Sequence, residues 1–131
     1  MATFVYYNCN PKQQHVRDCV FRALSYFFDI PWREAVTRIV NYNCDLGQVN
    51  FTHITNITNF MAANGYERHK PPRKGMTVQE FIDECAKEGN LYVLNTIHPL
   101  HLTVIDEKKR VNDTWDCSDK EMKYYWFRTI K

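Results

Sequence analysis

The chain has 131 residues, of which 17 are basic and 15 acidic, so that its formal net charge is +2. This length supports one domain, and we expect residues 1–131 to form a single fold around its own core. A content of 44% apolar and 15% aromatic residues excludes an intrinsically disordered chain. The near-zero charge balance argues against nucleic acid as a partner, and four glycines are too few for a glycine-rich phosphate loop.

The five cysteines point to a reducing compartment. Their number is odd and no two of them form a C-x-x-C pair. The chain does not open with the basic stretch and following apolar run of a signal peptide, and no stretch of about 18 uninterrupted apolar residues occurs. We therefore expect a cytoplasmic protein without disulfides and without a membrane span.

Two helices are predicted after an irregular first ~16 residues. The first begins near Asp18, whose carboxylate we expect to cap the first turn, and apolar side chains recur at helical spacing up to Phe28. Pro31 suits the first turn of a second helix, which runs from Trp32 to about Tyr42.

A third helix is predicted from Ile54 to Ala63, followed by a fourth that begins at a capping box formed by Thr77 and Glu80 and runs to Lys87. The pattern then changes to short apolar runs separated by polar turns, which indicate strands. These runs are Leu91–Leu94, Leu102–Ile105 (opened by His101), Val111–Trp115 and an edge strand within Lys123–Ile130. The sequence thus predicts an α+β fold in which N-terminal helices pack on a small C-terminal antiparallel sheet.

A thiol, an imidazole and a carboxylate are expected to converge in this layout. Cys19 stands at a helix start, where free N–H groups and the helix dipole favour a thiolate, although the charge of Asp18 opposes it. His101 opens a strand whose return, through a three-residue loop at 107–109, places Asp113 diagonally across from the imidazole. A two-residue loop would bring Asn112 and Thr114 to that face instead; we favour Asp113.

The segments Asp18–Leu24, His101–Ile105 and Asp113–Ser118 together resemble papain-like cysteine peptidases of the short bacterial and phage type. The order of the motifs is similar to that of the bacteriocin-leader-processing branch. The resemblance implies a papain-like fold with Cys19 as nucleophile, His101 as general base and Asp113 as the acid that orients it. It also implies an oxyanion-binding glutamine, for which Gln13 is the first candidate and Gln14 the second. Because the interval from His101 to the acid is shorter here than in papain itself, Asp116 is a second candidate for the acid.

The sequence therefore predicts a cysteine peptidase or isopeptidase that acts on a peptide or protein substrate through an acyl-enzyme. Two other classes remain open, an acyltransferase of transglutaminase-like chemistry and a binding or inhibitor module, for example phage-encoded, on the same fold. No cofactor is expected. A zinc site built on His98 and His101 with Cys117 or Asp116 is disfavoured, because zinc ligands usually come in two short-spaced pairs and only one is present.

Overall fold

A computed structural model of the protein describes residues 4–130. Residues 1–3 and residue 131 lie outside the described part. The expectation that the chain lacks a signal peptide falls partly on residues 1–3. The described residues form four helices: α1 (Cys19–Phe28), α2 (Trp32–Asp45), α3 (Ile54–Ala63) and α4 (Val78–Glu84). They also form five strands: β1 (Phe4–Tyr6), β2 (Asn90–Thr96), β3 (His101–Ile105), β4 (Val111–Asp113) and β5 (Met122–Thr129). The predicted α+β class is confirmed.

The helices follow their sequence signals closely at the N-terminal ends. Both halves of the capping box before α4 are present, since Glu80 N donates to Thr77 Oγ1 and Thr77 N donates to Glu80 Oε1. The C-terminal ends differ: α2 extends three residues beyond Tyr42, and α4 ends at Glu84 rather than Lys87. None of these helices combines the length and the apolar character needed to cross a membrane.

The sheet has the strand order β1-β4-β3-β2-β5, so β5 is an edge strand as expected. The prediction of a purely antiparallel, C-terminal sheet is wrong, because residues 4–6 pair in parallel with β4 in the register Phe4↔Val111 to Tyr6↔Asp113. The other strand pairs are antiparallel. This strand has only three residues, and its partner lies about a hundred residues further along the chain. No local pattern predicts such a strand, and the sequence therefore indicated an irregular segment.

Helices cover both faces of the sheet. On one face, α1, α2 and α3 pack against alternate strand residues such as Leu91, Val93 and Val104. On the other face, α4 packs against the residues between them, including Tyr92 and Leu94. Helix α1 lies against β3. Cys19 at the N-terminal end of the helix interacts with His101 and Leu102 at the beginning of that strand. This contact positions the site described next.

Candidate active site

Cys19 is the first residue of α1 and remains partly exposed. The amide groups of a first helical turn have no acceptor within the helix, which makes this end of α1 attractive to negative charge. Asp18 occupies the N-cap position as predicted, but its side chain makes no capping hydrogen bond, so that part of the prediction is wrong. The first turn is therefore not capped by the Asp18 carboxylate.

The Asp18 carboxylate belongs instead to a buried polar network. Arg22 Nη1 donates to its Oδ1, while Trp32 Nε1 and Asn10 Nδ2 donate to its Oδ2 at 2.9 and 3.2 Å. Asp18 and Arg22 are only 3% and 5% exposed. Arg22 therefore compensates the negative charge of Asp18, which the sequence alone had placed beside Cys19 without a partner.

His101 and Asp113 form a short, buried contact, with His101 Nε2 2.5 Å from Asp113 Oδ2. The two side chains are 8% and 2% exposed. Their approach follows from the predicted hairpin register, which is confirmed by the pairing Ile105↔Val111 and by the bond from Asp106 N to Arg110 O. With Nε2 engaged by the carboxylate, the imidazole nitrogen that remains for the Cys19 thiol is Nδ1.

The other candidates for the base and the acid lie elsewhere. Asn112 points to the opposite face of β4, where its Nδ2 donates to Asp106 Oδ2 at 2.9 Å. Asp116 is exposed and accepts a hydrogen bond from Ser118 N. His98 is exposed on the loop between β2 and β3. The structure thus brings together Cys19, His101 and Asp113 and leaves these three out.

The electrostatics favour a charged thiolate–imidazolium pair. Burial opposes ionisation of Cys19, but the hydrogen bond and positive charge of His101, with the main-chain N–H of Leu102, outweigh it and lower the pKa of the thiol. Burial also opposes charge on His101, yet hydrogen bonds to Asp113 and Cys19 raise its pKa to about 9. The pKa of Asp113 is lowered because the bond to His101 outweighs burial. Both shifts favour the proton on the imidazole over the proton on the thiol.

Gln13 is exposed in a loop, with a left-handed backbone conformation at φ 53°. Its side-chain Nε2 donates to the main-chain oxygens of Asn8 and Asn10 at 3.0 and 3.2 Å. Gln14 is exposed as well, and its main-chain oxygen accepts a bond from Asn8 Nδ2. The side-chain donor of Gln13 is thus held by two carbonyl groups, and the oxyanion role of Gln13 stays a prediction.

Arg22 is the site residue that sequence reasoning missed. Besides Asp18, its guanidinium reaches Asp113 Oδ1 at 3.3 Å and Thr114 Oγ1 at 3.4 Å through Nη2. Arg22 thus links the start of α1 to the acid on β4. Its position three residues after Cys19, within an otherwise apolar helix, was the available signal, since an arginine on a buried helix face needs a carboxylate partner.

Trp115 packs against the imidazole of His101, with ring centroids 4.9 Å apart and an interplanar angle of 46°. The indole covers one side of the His101 imidazole and restricts the orientations that this imidazole can adopt. Trp115 also lines the cavity beside Cys19.

His101, Asp113 and Cys117 are the potential metal ligands that lie together in residues 4–130, with ligand atoms within 4.8 Å of one another. Ligands at about 2.0 Å from a tetrahedral zinc ion stand roughly 3.3 Å apart. The 2.5 Å between His101 Nε2 and Asp113 Oδ2 is therefore a hydrogen-bond separation and leaves no place for an ion between them. Burial raises the pKa of Cys117 to about 12, which disfavours the thiolate that a metal requires.

Cavities open on both sides of Cys19. One of about 470 Å³ is bordered by Trp115 and Pro99, and one of about 290 Å³ is bordered by Thr52 and Ile54. Both are also lined by Cys19 and by His101. A chain laid along this groove would pass directly over the thiol.

Comparison of the chain with protein-family models, with curated proteins and with solved structures found no match.

Proposed function

We propose that this protein is a cysteine-dependent hydrolase, a peptidase or isopeptidase that acts through Cys19, His101 and Asp113. The observation that carries the proposal is one buried imidazole that is bonded through Nε2 to a carboxylate and lies beside the thiol at the start of α1, whose pKa it lowers. A thiol with a lowered pKa in an open groove is equipped to attack a carbonyl carbon.

In the first half of the reaction, the Cys19 thiolate attacks the carbonyl carbon of the scissile bond. In this scheme the main-chain N–H of Cys19, which has no acceptor within the first turn of α1, donates to the resulting oxyanion. The tetrahedral intermediate then collapses, and the imidazolium of His101 gives its proton to the leaving amine. A thioester on Cys19 and a neutral His101 remain.

In the second half, neutral His101 takes a proton from water while the water oxygen attacks the thioester carbonyl. Breaking the carbon–sulfur bond releases the carboxylic product and restores the thiolate, with the proton again on the imidazole. Asp113 holds the ring through Nε2 in both halves and stabilises its positive charge. If an amine enters in place of water, the same steps give acyl transfer.

We further propose that the fold is of the papain-like type. Support comes from the nucleophile at the start of a buried helix, the histidine at the start of a strand packed against it, and the acid on the neighbouring strand. The groove over the thiol is bordered by the exposed residues Arg17 and Leu100, and we propose an extended peptide or a flexible protein tail as its substrate class.

Selective alkylation of the cysteines tests the proposed function without knowledge of the substrate. At pH 6.5, iodoacetamide is expected to modify Cys19 at least about tenfold faster than the exposed Cys44, because the Cys19 thiol has a lowered pKa. His101→Asn should abolish this advantage, whereas His98→Asn, a change at an exposed histidine three residues away, should leave it intact. Equal rates at Cys19 and Cys44 in the unmodified protein would contradict a catalytic thiol and favour a binding module.

Mass spectrometry of a peptide mixture then identifies the reaction. Cleavage that depends on Cys19 and survives Cys44→Ser indicates a hydrolase. Products that gain the mass of an added amine in place of water indicate a transferase. A peptide mixture left unchanged by a protein whose Cys19 is hyper-reactive would count against the proposed peptidase.

A further inference from the structure

The groove over Cys19 is bordered on both sides by the same two surface residues. Arg17 and Leu100 line the cavity of about 470 Å³ and also the one of about 290 Å³, as do Cys19 and His101. Arg17 lies two residues before the nucleophile, and Leu100 precedes His101 directly. A substrate on either side of the thiol therefore comes within reach of the Arg17 guanidinium.

Apart from the Cys19–His101 pair, the charged side chains of this groove have one sign. Among residues 4–130, no aspartate or glutamate lines either cavity, and the arginines that do are Arg17 and Arg22. Arg22 is already bonded to two carboxylates. Arg17 is exposed, and within residues 4–130 no ion pair or hydrogen bond engages its side chain. An arginine beside a nucleophile with no carboxylate of its own is available to a carboxylate of the substrate.

We propose that Arg17 selects acyl substrates that carry an acidic side chain next to the scissile bond. The inference rests on the proposed function and names its substrate class. A guanidinium binds a carboxylate through two parallel hydrogen bonds, and this geometry distinguishes aspartate or glutamate from the amide of asparagine or glutamine. Leu100, which is 73% exposed and lines the same two cavities, offers an apolar edge to the neighbouring part of the peptide.

Positive charge continues beyond the groove at the other end of the loop that carries Leu100. A cavity of about 420 Å³ is lined by Ile97 and by the basic residues Lys70, Arg73, Lys74 and Lys123, with Glu121 the acidic residue among its lining. Arg73 is paired with Glu80 and Glu84, so the lysines are the basic groups that a ligand could meet. Ile97 and Leu100 are three residues apart, so their Cα atoms are separated by at most about 11 Å. An extended peptide covers this distance in three to four residues. A second acidic residue at that spacing would meet this basic cavity.

The anionic reagent iodoacetate and the neutral reagent iodoacetamide test the proposal at the thiol itself. Both alkylate the same sulfur, so the ratio of their rate constants at Cys19 measures attraction of a carboxylate into the groove. In Arg17→Gln, we expect the iodoacetate-to-iodoacetamide ratio to fall by roughly fivefold to tenfold, the loss of one charge-assisted contact. Arg33→Gln, a change at an exposed arginine outside the groove, should leave the ratio as it is.

Peptides that differ only by Glu or Gln beside the scissile bond provide the second measurement. The unmodified protein is expected to show about tenfold higher kcat/KM on the Glu peptides, and this preference should be lost in Arg17→Gln. An unchanged alkylation ratio in Arg17→Gln would overturn the acidic preference, whether or not peptides are hydrolysed. A ratio that falls in a protein without any hydrolytic activity would instead support the anion-selective groove and refute the proposed function.

Discussion

Arg22 offers the sharpest test of how the site is held together. The residue is 5% exposed, and its guanidinium lies between two buried carboxylates, Asp18 and Asp113, which come from the start of α1 and the end of β4. Replacement by methionine keeps a long, unbranched side chain and removes the charge. We expect this change to destabilise the whole fold as well as the site, since both carboxylates then lose a buried positive partner.

The size of the loss follows from what each carboxylate retains. Removing one member of a buried ion pair destabilises proteins by about 3–5 kcal/mol. Asp18 keeps the donors Trp32 Nε1 and Asn10 Nδ2, and Asp113 keeps Thr114 N at 2.7 Å together with His101. Because neither carboxylate is left without donors, we expect Arg22→Met to lower the free energy of unfolding by about 3 kcal/mol, at the lower end of that range. A domain with a stability of 5–15 kcal/mol stays folded under this loss.

Urea unfolding at pH 7 measures the effect through the midpoint, with an unchanged m-value as the check that the transition remains two-state. Arg38→Met is the matched control, because Arg38 pairs with Glu34 four residues away while both side chains are exposed. That variant should lose less than about 1 kcal/mol. Arg22→Lys keeps the charge but not the fork that reaches both carboxylates, and should fall between the two.

An equal loss in the free energy of unfolding for Arg22→Met and Arg38→Met would refute this explanation. If Arg22→Met destabilised the protein no more than Arg38→Met, the buried network would not be held by charge. A double-mutant cycle with Asp18→Asn gives an independent check. Coupling between Asp18 and Arg22 should exceed 1 kcal/mol if they form the ion pair described here, and coupling near zero would count against it.

Further predictions concern the pH profile, the acid, the capping box and the buried thiol. The dependence of kcat/KM on pH should be bell-shaped. Activity rises as the Cys19 thiol, with its lowered pKa, ionises below pH 9, and it falls near pH 9 as His101 loses its proton. A profile with a single rising limb would contradict the ion pair. Asp113→Asn removes a group that raises the pKa of His101. The alkaline limb of the pH profile should therefore move below pH 9, and kcat should drop roughly 100-fold. An unshifted limb would argue against Asp113 as the orienting acid. Thr77→Ala should lower the free energy of unfolding by about 1 kcal/mol in urea, and no change would mean that the cap of α4 adds nothing. Cys117, whose pKa burial raises to about 12, should resist iodoacetamide at pH 7 until urea unfolds the protein, and labelling in the folded state would contradict its burial.

The features predicted correctly from the sequence were those fixed by short stretches of chain. The start of α1 at Cys19 and the capping box before α4 depend on neighbours within one helical turn. The pairing of β3 with β4 depends on a tight turn, whose length sets the register and therefore the face on which Asp113 lies. A thiol, an imidazole and a carboxylate were expected to converge for these local reasons.

The tertiary structure decided what depends on distant partners. Residues 4–6 form a strand because they pair with β4, which is distant in the sequence, and no local pattern predicts this pairing. The Asp18 carboxylate leaves the helix cap because Arg22 and Trp32 satisfy it better in the folded protein. Gln13 donates to the carbonyl groups of its own loop, although the family resemblance implied an oxyanion donor at this position.

The sequence by itself thus determined the α+β class, most helix boundaries and the residue types of the candidate site, because periodicity, caps and turns act over a few residues. Only the tertiary structure decided how the charges are compensated. Burial makes an ionised group costly unless a partner reaches it, and such partners come from anywhere in the chain. Arg22 reaches Asp113 from 91 residues away. The distribution of charge around Cys19, and with it the proposed chemistry, depends on contacts of that kind.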